Sequence, residues 1–332
     1  MEKIISKLLK KIDLNLSESN MLVKNIFEGK YNHIQLSSLL TLLFQKKESF
    51  NEIYAFVNYL RSKSKKINLT GNFMDTCGTG GDNKGSFNFS TATSILLSTF
   101  NIKICKHGNR SITSKSGSFD VLEALNIKIL KEHKKIKMDI QKNNICFLFA
   151  PNFHPVLKEV ADVRKSLPFR TIFNLLGPLL NPVKLKYQLL GVSNKNNLST
   201  HSKCLSRLNL NKAWVVFNEK GYDELTTTSI NYYIEIIKNK ISKVKTINPS
   251  DLGLKKRKEN ELKGGTPEEN AFIMKRLFEG ETGAIRDNVI LNTAAGLLIC
   301  QIESSLKKAI KRAEENIDNG KGLSKLNSLA NS

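Results

Sequence analysis

From Phe73 onward, short β-prone runs alternate with helical stretches, and this alternation constrains the fold more than any other feature of the chain. The clearest runs are Ile102–Cys105, Ile145–Phe149 and Trp214–Phe217. Such alternation is typical of α/β domains, because parallel strands are joined by crossover connections that are usually helices. The sequence therefore predicts a large α/β domain with a mostly parallel central sheet over residues 69–332.

The two ends of the chain show other patterns. In the first 65 residues, apolar side chains recur at three- and four-residue spacing in four successive blocks, which indicates amphipathic helices. We expect a small all-helical N-terminal domain over residues 1–68, which later helices could complete. Two alternating runs between residues 232 and 245 predict antiparallel strands, and helices are expected from Thr266 to about Asn319. The Ser- and Asn-rich end after Gly320 is expected to fray.

The charge of the chain narrows its function without deciding it. Lys and Arg number 52 against 30 acidic residues, a formal charge of +22, which favours polyanionic partners and phosphorylated substrates. The lysines are spread along the chain, and no zinc-finger or RNP-type motif is present. We therefore expect small-molecule substrates and no nucleic acid partner, with most lysines on solvated faces.

Cysteine usage and hydropathy indicate a cytoplasmic protein. The five cysteines occur singly, without C-x-x-C pairs, and the chain lacks the apolar core of a signal peptide, as expected for reduced thiols in the cytosol. No apolar run approaches the length needed to cross a bilayer, so we expect no membrane association. Cys77 lies in a glycine-rich segment, but no His or Lys adjacent in sequence lowers its pKa. It is therefore not predicted to act as a nucleophile.

The glycine-rich segment is Gly78-Thr79-Gly80-Gly81-Asp82, between a predicted strand that ends near Met74 and a predicted helix that begins around Ser90. It should lie at the carboxyl edge of the sheet, where α/β folds bind ligands. Glycines let backbone amides approach an anionic oxygen, and the helix start adds unpaired N–H groups. The segment is neither a Walker A sequence nor G-x-G-x-x-G, because Asn83 replaces the last glycine. Alone, it fits a tight turn as well as a phosphate loop.

A second loop favours the phosphate interpretation. Residues 106–118 follow the run Ile102–Cys105 and contain Lys106, Arg110, several hydroxyl groups and two glycines. Two strand-end loops of this kind can share one cleft and enclose a diphosphate with charged, hydroxyl and backbone donors. A merely solvated basic loop is the alternative.

Taken in order, these motifs resemble the signature of anthranilate phosphoribosyltransferases over roughly residues 70–300. The matching segments are Gly78–Asp82, Asn88–Thr91, Lys106–Ser118, Arg164, Arg170–Asn174, Leu176–Leu179, Asn181-Pro182 and Asp223-Glu224. The resemblance implies a nucleoside phosphorylase-like fold and a homodimer formed through the helical domain. It also implies transfer of the phosphoribosyl group from 5-phosphoribosyl 1-diphosphate to anthranilate, with release of pyrophosphate, in tryptophan biosynthesis.

The resemblance further implies which residues bind each ligand. The phosphoribosyl diphosphate site would comprise Gly78, Gly81, Asp82, Ser86, Asn88, Phe89, Ser90, Thr91, Lys106, His107, Gly108, Asn109, Arg110, Ser111, Ile112, Thr113, Ser114 and Ser118. Anthranilate would contact Gly78, Asn109 and Arg164. Mg²⁺ would be held by Ser90, Asp223 and Glu224, and hard oxygen ligands of this kind suit the ion.

In the implied reaction, the anthranilate nitrogen displaces pyrophosphate from C1 of the ribose. Lys106, Arg110 and the pair Asp223-Glu224, the latter through Mg²⁺, would act as the catalytic groups that neutralise the departing diphosphate. An aromatic amine is already neutral at pH 7, so no strong base is required. We therefore expect His107 to shape its loop or to bind diphosphate through its main chain rather than to transfer a proton.

Two alternatives remain open. A pyrimidine nucleoside phosphorylase has a similar architecture and similar phosphate loops, but Arg170–Asn174 and Asp223-Glu224 favour the transferase. A non-catalytic nucleic-acid-binding relative of the same fold would account for the charge of +22, but the complete set of implied ligands argues against it. The chain departs from the family pattern at Ser86, Phe119 and Pro168 and at Asn292-Thr293, which replaces a usual Asn-Ala pair. None of these changes removes an implied catalytic group.

Overall fold

The chain forms two compact units in the computed structural model, which describes residues 2–111 and 115–331. The helical unit comprises Met1–Lys66 and Pro151–Pro182, and the sheet unit comprises Ile67–Ala150 and Val183–Ser332. The helical unit thus includes a segment from the middle of the chain. The domain boundary near residue 68 stays a prediction from the sequence.

Helices and strands alternate through most of the sheet unit. In chain order, the helices are α1 (Glu2–Leu9), α2 (Leu16–Phe27), α3 (His33–Lys46), α4 (Phe50–Lys63), α5 (Phe89–Ser98), α6 (Ser118–Ala124), α7 (His133–Asn143), α8 (Ala150–Phe153), α9 (Ala161–Ser166), α10 (Phe173–Leu176), α11 (Asn196–Leu205), α12 (Pro267–Phe278), α13 (Ala284–Ile299), α14 (Leu306–Asp318) and α15 (Lys321–Ala330). The strands are β1 (Phe73–Gly78), β2 (Lys103–Gly108), β3 (Ile145–Phe149), β4 (Tyr187–Gly191), β5 (Lys212–Asn218), β6 (Asn231–Ile237), β7 (Lys240–Ile241) and β8 (Lys245–Ile247). Within residues 2–111 and 115–331, no helix combines the length and the apolarity needed to cross a membrane.

Side-chain caps start two of the N-terminal helices. The Asn15 side chain accepts a hydrogen bond from the Glu18 N–H at 2.9 Å, and the Asn32 side chain accepts one from the Gln35 N–H at 2.9 Å. Glu18 and Gln35 in turn accept from the N–H groups of Asn15 and Asn32. Each capping box satisfies two donors that the start of a helix would leave unpaired, which explains why α2 and α3 begin where they do.

The middle segment belongs to the helical unit because its main chain is bound there. Arg61 on α4 donates to the carbonyl oxygens of Leu179 and Asn181, each at 3.1 Å. The buried His154 ring donates from Nε2 to the Leu180 oxygen at 2.8 Å. Three consecutive carbonyl groups therefore have partners within this unit, and leaving them unpaired would be costly.

The sheet unit is built on one mixed sheet with the strand order β3-β2-β1-β4-β5-β6-β7, and β8 also pairs with β6. Strands β1 to β5 are mutually parallel, and β6 to β8 are antiparallel to their neighbours. The predicted mostly parallel sheet is confirmed. The chain winds outward in both directions from β1, so the carboxyl ends of β1 and β4 form the switch point at which open α/β sheets bind ligands.

Two buried helices, α5 and α13, form the core against the sheet. Nearly every residue of each is buried, from Phe89 onward in α5 and from Ala284 in α13. A Cβ at Gly296 would lie 2.7 Å from both methyl carbons of Leu97. The glycine therefore lets the two helices approach more closely than any other residue would allow.

The expectation that the chain frays after Gly320 is wrong. Helix α15 follows directly, with Leu326 and Leu329 buried. Lys325 also donates to the Asn143 carbonyl oxygen at 2.8 Å. Apolar spacing in this segment outweighs its Ser and Asn content, because the two leucines gain free energy by burial.

Candidate active site

The loop after β1 closes around Asp223 in the sheet unit. The Gly80 N–H donates to Asp223 Oδ2 at 2.6 Å. A Cβ at Gly78 would collide with the Asp223 carboxylate, and a Cβ at Gly191 would collide with the Asp223 carbonyl group. Glycine at the ends of β1 and β4 therefore allows the Asp223 segment to cross the switch point in contact with both strands.

The glycine-rich loop itself has an unusual backbone. Gly80, Gly81 and Gly85 have φ values of 65°, 68° and 60°, and Asn83 has 55°, a left-handed conformation that glycine and asparagine tolerate best. A cleft of about 390 Å³ is lined by Gly81–Gly85, Lys115, Lys263 and Gly264. Its glycine main chain and lysines suit a phosphorylated ligand.

Lys106 and Ser90 meet at the carboxyl ends of β1 and β2. The buried Lys106 ammonium donates to the Thr76 carbonyl oxygen at 2.7 Å and to Ser90 Oγ at 3.1 Å. The Thr76 hydroxyl donates to the Ser90 carbonyl oxygen at 2.9 Å. A buried ammonium group is costly without partners, so these contacts hold Lys106 where the sequence places a diphosphate ligand.

Glu224 completes a group of charges at this point. Its pKa is raised to about 8, chiefly by burial and also by the neighbouring Asp223 and by Asp82, while Lys106 and a hydrogen bond from the Ser90 backbone oppose the rise. The structure thus brings Ser90, Asp223 and Glu224 together, as the resemblance implies. Two adjacent carboxylates that disfavour each other's charge are stabilised by a cation.

The donor set suits Mg²⁺ better than a structural metal. In the part of the chain that the structure describes, no group of three or more His, Cys, Asp or Glu side chains could hold a metal ion. Two carboxylates and the Ser90 hydroxyl are too few for an all-protein cage. They do fit Mg²⁺, which keeps several waters and completes its shell with substrate phosphates.

The start of α5 is tied to a distant part of the chain. Asn88 Oδ1 accepts from the Asn270 side chain at 2.9 Å, and the Phe87 N–H donates to the Leu262 carbonyl oxygen at 3.0 Å. Ser86 forms an isolated bridge with Lys263. Phe89 is buried in the core, and the buried Thr91 hydroxyl has no hydrogen-bond partner among the described residues.

Asp120 closes the second predicted phosphate loop. Its carboxylate accepts from the Ser111 N–H at 2.9 Å and from the Gly117 N–H at 2.8 Å, so it joins both ends of the loop. The Asn109 carbonyl oxygen accepts from the Ser118 hydroxyl at 3.2 Å. A Cβ at Gly108 would collide with Ser118. The predicted ligands Ile112, Thr113 and Ser114 lie outside the described residues.

Arg110 and two other residues of the loops have partners that limit their chemistry. The exposed Arg110 guanidinium donates to Glu123, which raises its pKa, and it lies 5.4 Å from the centre of the Phe149 ring. The His107 N–H donates to Asp75 at 3.3 Å. Burial raises the pKa of the Cys77 thiol well above its usual range, with Asp75 adding to the effect, so Cys77 is a poor nucleophile.

Arg164, the implied anthranilate ligand, belongs to the helical unit. Its guanidinium lies 5.0 Å from the centre of the Phe173 ring, and burial lowers its pKa. Among the described residues it has no acidic or hydrogen-bond partner. A half-buried guanidinium held on an aromatic face in this way can donate two parallel hydrogen bonds to a carboxylate.

The sequence interpretation missed three residues that shape the site. Asp120 was one of many acidic residues, with no signal of its own. Asn288 and Asn292 lie one turn apart on α13 and bind the main chain that follows Glu224, at Thr227 and Leu225. Two amide side chains one turn apart in a largely apolar helix are a recognisable signal, because buried polar groups require partners.

Comparisons with known proteins identify the family of this chain. A family model described as the glycosyl transferase family, a/b domain, matches residues 70–323, and a model of that family's helical bundle domain matches residues 2–64. An anthranilate phosphoribosyltransferase from Petrotoga mobilis is 42% identical over 326 residues, which are 98% of this chain and 94% of the relative.

Two solved structures have the same fold. The crystal structure of anthranilate phosphoribosyltransferase from Thermus thermophilus has a TM-score of 0.89 and 32% identity, and covers 98% of both chains. The enzyme from Saccharomyces cerevisiae in complex with PRPP and Mg has a TM-score of 0.89 and 28% identity, over 99% of this chain and 96% of the other. The chain therefore belongs to the anthranilate phosphoribosyltransferase family, within the glycosyl transferases.

Proposed function

We propose that this protein transfers the phosphoribosyl group of phosphoribosyl diphosphate (PRPP) to anthranilate, which yields N-(5-phosphoribosyl)anthranilate and pyrophosphate in tryptophan biosynthesis. One observation carries the proposal. The glycine-rich loop, Lys106, Ser90 and the pair Asp223-Glu224 meet at the switch point of the sheet. A relative of this chain is named for this reaction, and another has been solved with PRPP and Mg.

The diphosphate is bound by the residues around the switch point. Backbone N–H groups of Gly81 and Asp82 face its oxygens, and Lys106 supplies a positive charge from beneath the loop. Mg²⁺, held by Asp223, Glu224 and Ser90, neutralises charge on the leaving group when it is bound. These groups are fixed before the reaction begins, so little reorganisation is needed as negative charge develops.

Other PRPP contacts come from the starts of α5 and α6 and from the loop before α6. We propose that the residues implied by the resemblance bind there, namely Gly78, Ser86, Asn88, Phe89, Thr91, His107, Gly108, Asn109, Arg110, Ser111, Ile112, Thr113, Ser114 and Ser118. The hydrogen bonds of Asp120 to Ser111 and Gly117 give this loop a defined shape. The ion pair of Arg110 with Glu123 competes with the diphosphate for the guanidinium.

Anthranilate requires a partner for its carboxylate and a fixed position for its nitrogen. We assign the carboxylate of anthranilate to Arg164, which has no acidic partner among the described residues. Gly78 and Asn109 are proposed to make further contacts with anthranilate. The neutral amine needs no base, because its nitrogen lone pair attacks C1 as the diphosphate leaves. Holding both substrates in line then supplies much of the rate.

Two assays test the proposal. Fluorescence of anthranilate should fall when the protein is mixed with PRPP and Mg²⁺, and the variant Asp223→Asn with Glu224→Gln should lose this activity while keeping its circular dichroism spectrum. In parallel, the protein is given uridine or thymidine with inorganic phosphate. Nucleoside cleavage without anthranilate turnover would establish the pyrimidine nucleoside phosphorylase alternative instead.

We also propose that the enzyme is a cytoplasmic homodimer. The helical unit exposes several large apolar side chains that a partner subunit would cover, including Leu9, Ile12, Met21 and Ile34. Light scattering after gel filtration should give twice the chain mass of 37.4 kDa. Replacing Ile34, which is 79% exposed, by Glu should yield monomers. A monomeric wild-type protein would contradict the proposal.

A further inference from the structure

Asn292 on α13 binds both main-chain groups of the residue that follows Glu224. Its Oδ1 accepts from the Leu225 N–H at 3.1 Å, and its Nδ2 donates to the Leu225 carbonyl oxygen at 2.7 Å. Asn292 and Leu225 are both buried. One side-chain amide therefore determines where the chain lies immediately after the two carboxylates.

Asn288, one turn earlier on the same helix, binds Thr227, which lies two residues after Leu225. Its Oδ1 accepts from the Thr227 N–H at 2.8 Å, and its Nδ2 donates to the Thr227 hydroxyl at 3.2 Å. The Asn292 amide also donates to the Asn288 carbonyl oxygen at 2.8 Å, so the helix backbone helps to fix its orientation. Residues 225 and 227 are thus held by two amides at helical spacing.

Both amides are paired through oxygen and nitrogen, Asn292 to Leu225 and Asn288 to Thr227. Apolar side chains at positions 288 and 292 would leave these buried main-chain groups without partners, at a cost in free energy. Nor could they hold the Leu225 and Thr227 main chain at a defined distance from the helix.

We infer that Asn288 and Asn292 are positioning residues for the metal site. They fix the segment 225–227 against α13, and this segment in turn fixes the directions of the Asp223 and Glu224 carboxylates. The inference rests on the proposed function in one respect, the assignment of a divalent cation to Asp223 and Glu224. Residues that orient metal ligands in this way commonly change metal affinity by about tenfold or more when they are replaced.

Direct metal binding provides the test. Mn²⁺ is titrated into the full-length protein with PRPP, and free Mn²⁺ is followed by electron paramagnetic resonance for the wild type, Asn288→Ala and Asn292→Ala. We expect the Mn²⁺ dissociation constant to rise about tenfold in either variant. The KM for anthranilate at saturating Mg²⁺ should change less than twofold, and added Mg²⁺ should restore part of the lost kcat.

A buried asparagine elsewhere in the sheet unit serves as the control. Asn316 on α14 donates to the Thr99 hydroxyl at 2.8 Å, and nothing in this contact touches the site. Asn316→Ala should lower the melting temperature, because it removes a buried amide group, but its Mn²⁺ dissociation constant should equal that of the wild type. If Asn292→Ala shows the same pattern as this control, the role of Asn292 is only structural and the inference fails.

A milder variant covers the case in which the asparagine variants do not fold. Thr227→Val keeps the Thr227 N–H but removes one of the two acceptors of the Asn288 amide, the other being the Ala284 carbonyl oxygen. We expect at least about a twofold loss of Mn²⁺ affinity. Unchanged affinity would overturn the inference. Failure of the proposed function looks different. In that case the asparagine variants bind Mn²⁺ more weakly than the wild type, as inferred, but the wild type does not consume anthranilate. A wild type that binds no Mn²⁺ would overturn the inference itself.

Discussion

At the residue scale, Lys106 is the side chain for which we propose a role in both the fold and the chemistry. Its buried ammonium donates to the Thr76 carbonyl oxygen and to Ser90 Oγ, and we propose that it also contacts the diphosphate. Lys106→Met keeps the length and apolar stem of the side chain but removes the charge. We expect kcat/KM for PRPP to fall by about 100-fold or more, as for other donors that face developing charge.

Steady-state kinetics with Lys103→Met as the control would check this prediction. Lys103 lies at the amino end of the same strand, and its replacement should leave kcat/KM within about twofold of the wild type. A Lys106→Met enzyme with near wild-type kcat/KM would show that the buried ammonium only supports the loop.

Glu48 in the helical unit makes stability depend on pH. Its pKa is raised to about 7, chiefly by burial and in part by Glu52, while a backbone hydrogen bond and Lys46 oppose the rise. The folded state therefore holds a proton that the unfolded state loses above about pH 4.5, so this contribution to stability falls as pH rises from about 4.5 to 7. Glu48→Gln cannot ionise, and it should be more stable than the wild type at pH 8 by about 1–2 kcal/mol.

Urea unfolding of both proteins at pH 5 and pH 8 measures this difference. At pH 5 the two should have nearly the same free energy of unfolding. His154, whose pKa burial lowers to about 4, acts in the opposite direction, because its contribution is lost as pH falls. It is present in both proteins and cancels. An equal difference at both pH values would contradict the assignment to Glu48.

At the element scale, the end of β4 must contain a glycine for the Asp223 segment to pass. A Cβ at Gly191 would collide with the Asp223 carbonyl group. Gly191→Ala should therefore displace Asp223 and reduce kcat by at least about tenfold. At Gly177 a Cβ would meet no atom within 4 Å, so Gly177→Ala is the matched control for loss of a glycine.

The values of kcat, the Mg²⁺ affinity and the melting temperature must be measured on the same samples of both variants. We expect Gly191→Ala to lose kcat and Mg²⁺ affinity together, since Asp223 is an implied metal ligand, whereas Gly177→Ala should be close to the wild type. Wild-type kinetics in Gly191→Ala would mean that the Asp223 segment does not depend on this close approach.

Helix α15 offers a second test at this scale. Removal of the residues after Gly320 takes two buried leucines, Leu326 and Leu329, from the core. Burial of each is worth about 1.5–3 kcal/mol, so the truncated chain should melt at a markedly lower temperature or fail to fold. Calorimetry of the truncated and full-length chains would show this. An unchanged melting temperature would support a frayed terminus.

Some elements could be predicted from the sequence and others could not. The run Ile145–Phe149 coincides with β3, and Trp214–Phe217 lies within β5, because central parallel strands are apolar on both faces. Strand β4 was not identified, since its five residues include Gln188 and end in Gly191. For α15, the Ser and Asn content obscured an apolar spacing that packing against the core makes decisive.

At the scale of the whole molecule, the candidate site is assembled from segments far apart in the chain. The sequence predicted that the loops containing Gly78 and Lys106 would share one cleft, because loops at the carboxyl ends of parallel strands lie at one edge of the sheet. Asp223 was expected there only from the resemblance to the family. The role of Asp120 could not be predicted, because it depends on tertiary hydrogen bonds that leave no pattern in the local sequence. Asn288 and Asn292 do leave a signal, since buried amides require partners, but the sequence does not show which main-chain groups they bind.

The membership of the middle segment is a whole-molecule property of the same kind. The sequence predicts that later helices could complete the N-terminal domain but does not say which ones, and Pro151–Pro182 groups with the N-terminal helices. The hydrogen bonds of Arg61 and His154 to residues 179–181 account for this grouping. Nothing in the apolar spacing of the segment distinguishes it from a helix that covers the sheet.

The central claim is that the protein joins anthranilate to the phosphoribosyl group with release of pyrophosphate. Phosphorus NMR of the enzyme with PRPP, Mg²⁺ and anthranilate tests it most directly, with the fluorescence of the same sample recorded in parallel. We expect one pyrophosphate to appear for each anthranilate consumed, and none when anthranilate is omitted or when Asp223→Asn with Glu224→Gln replaces the wild type. Unchanged PRPP in the complete mixture, with a protein that remains folded, would contradict the account.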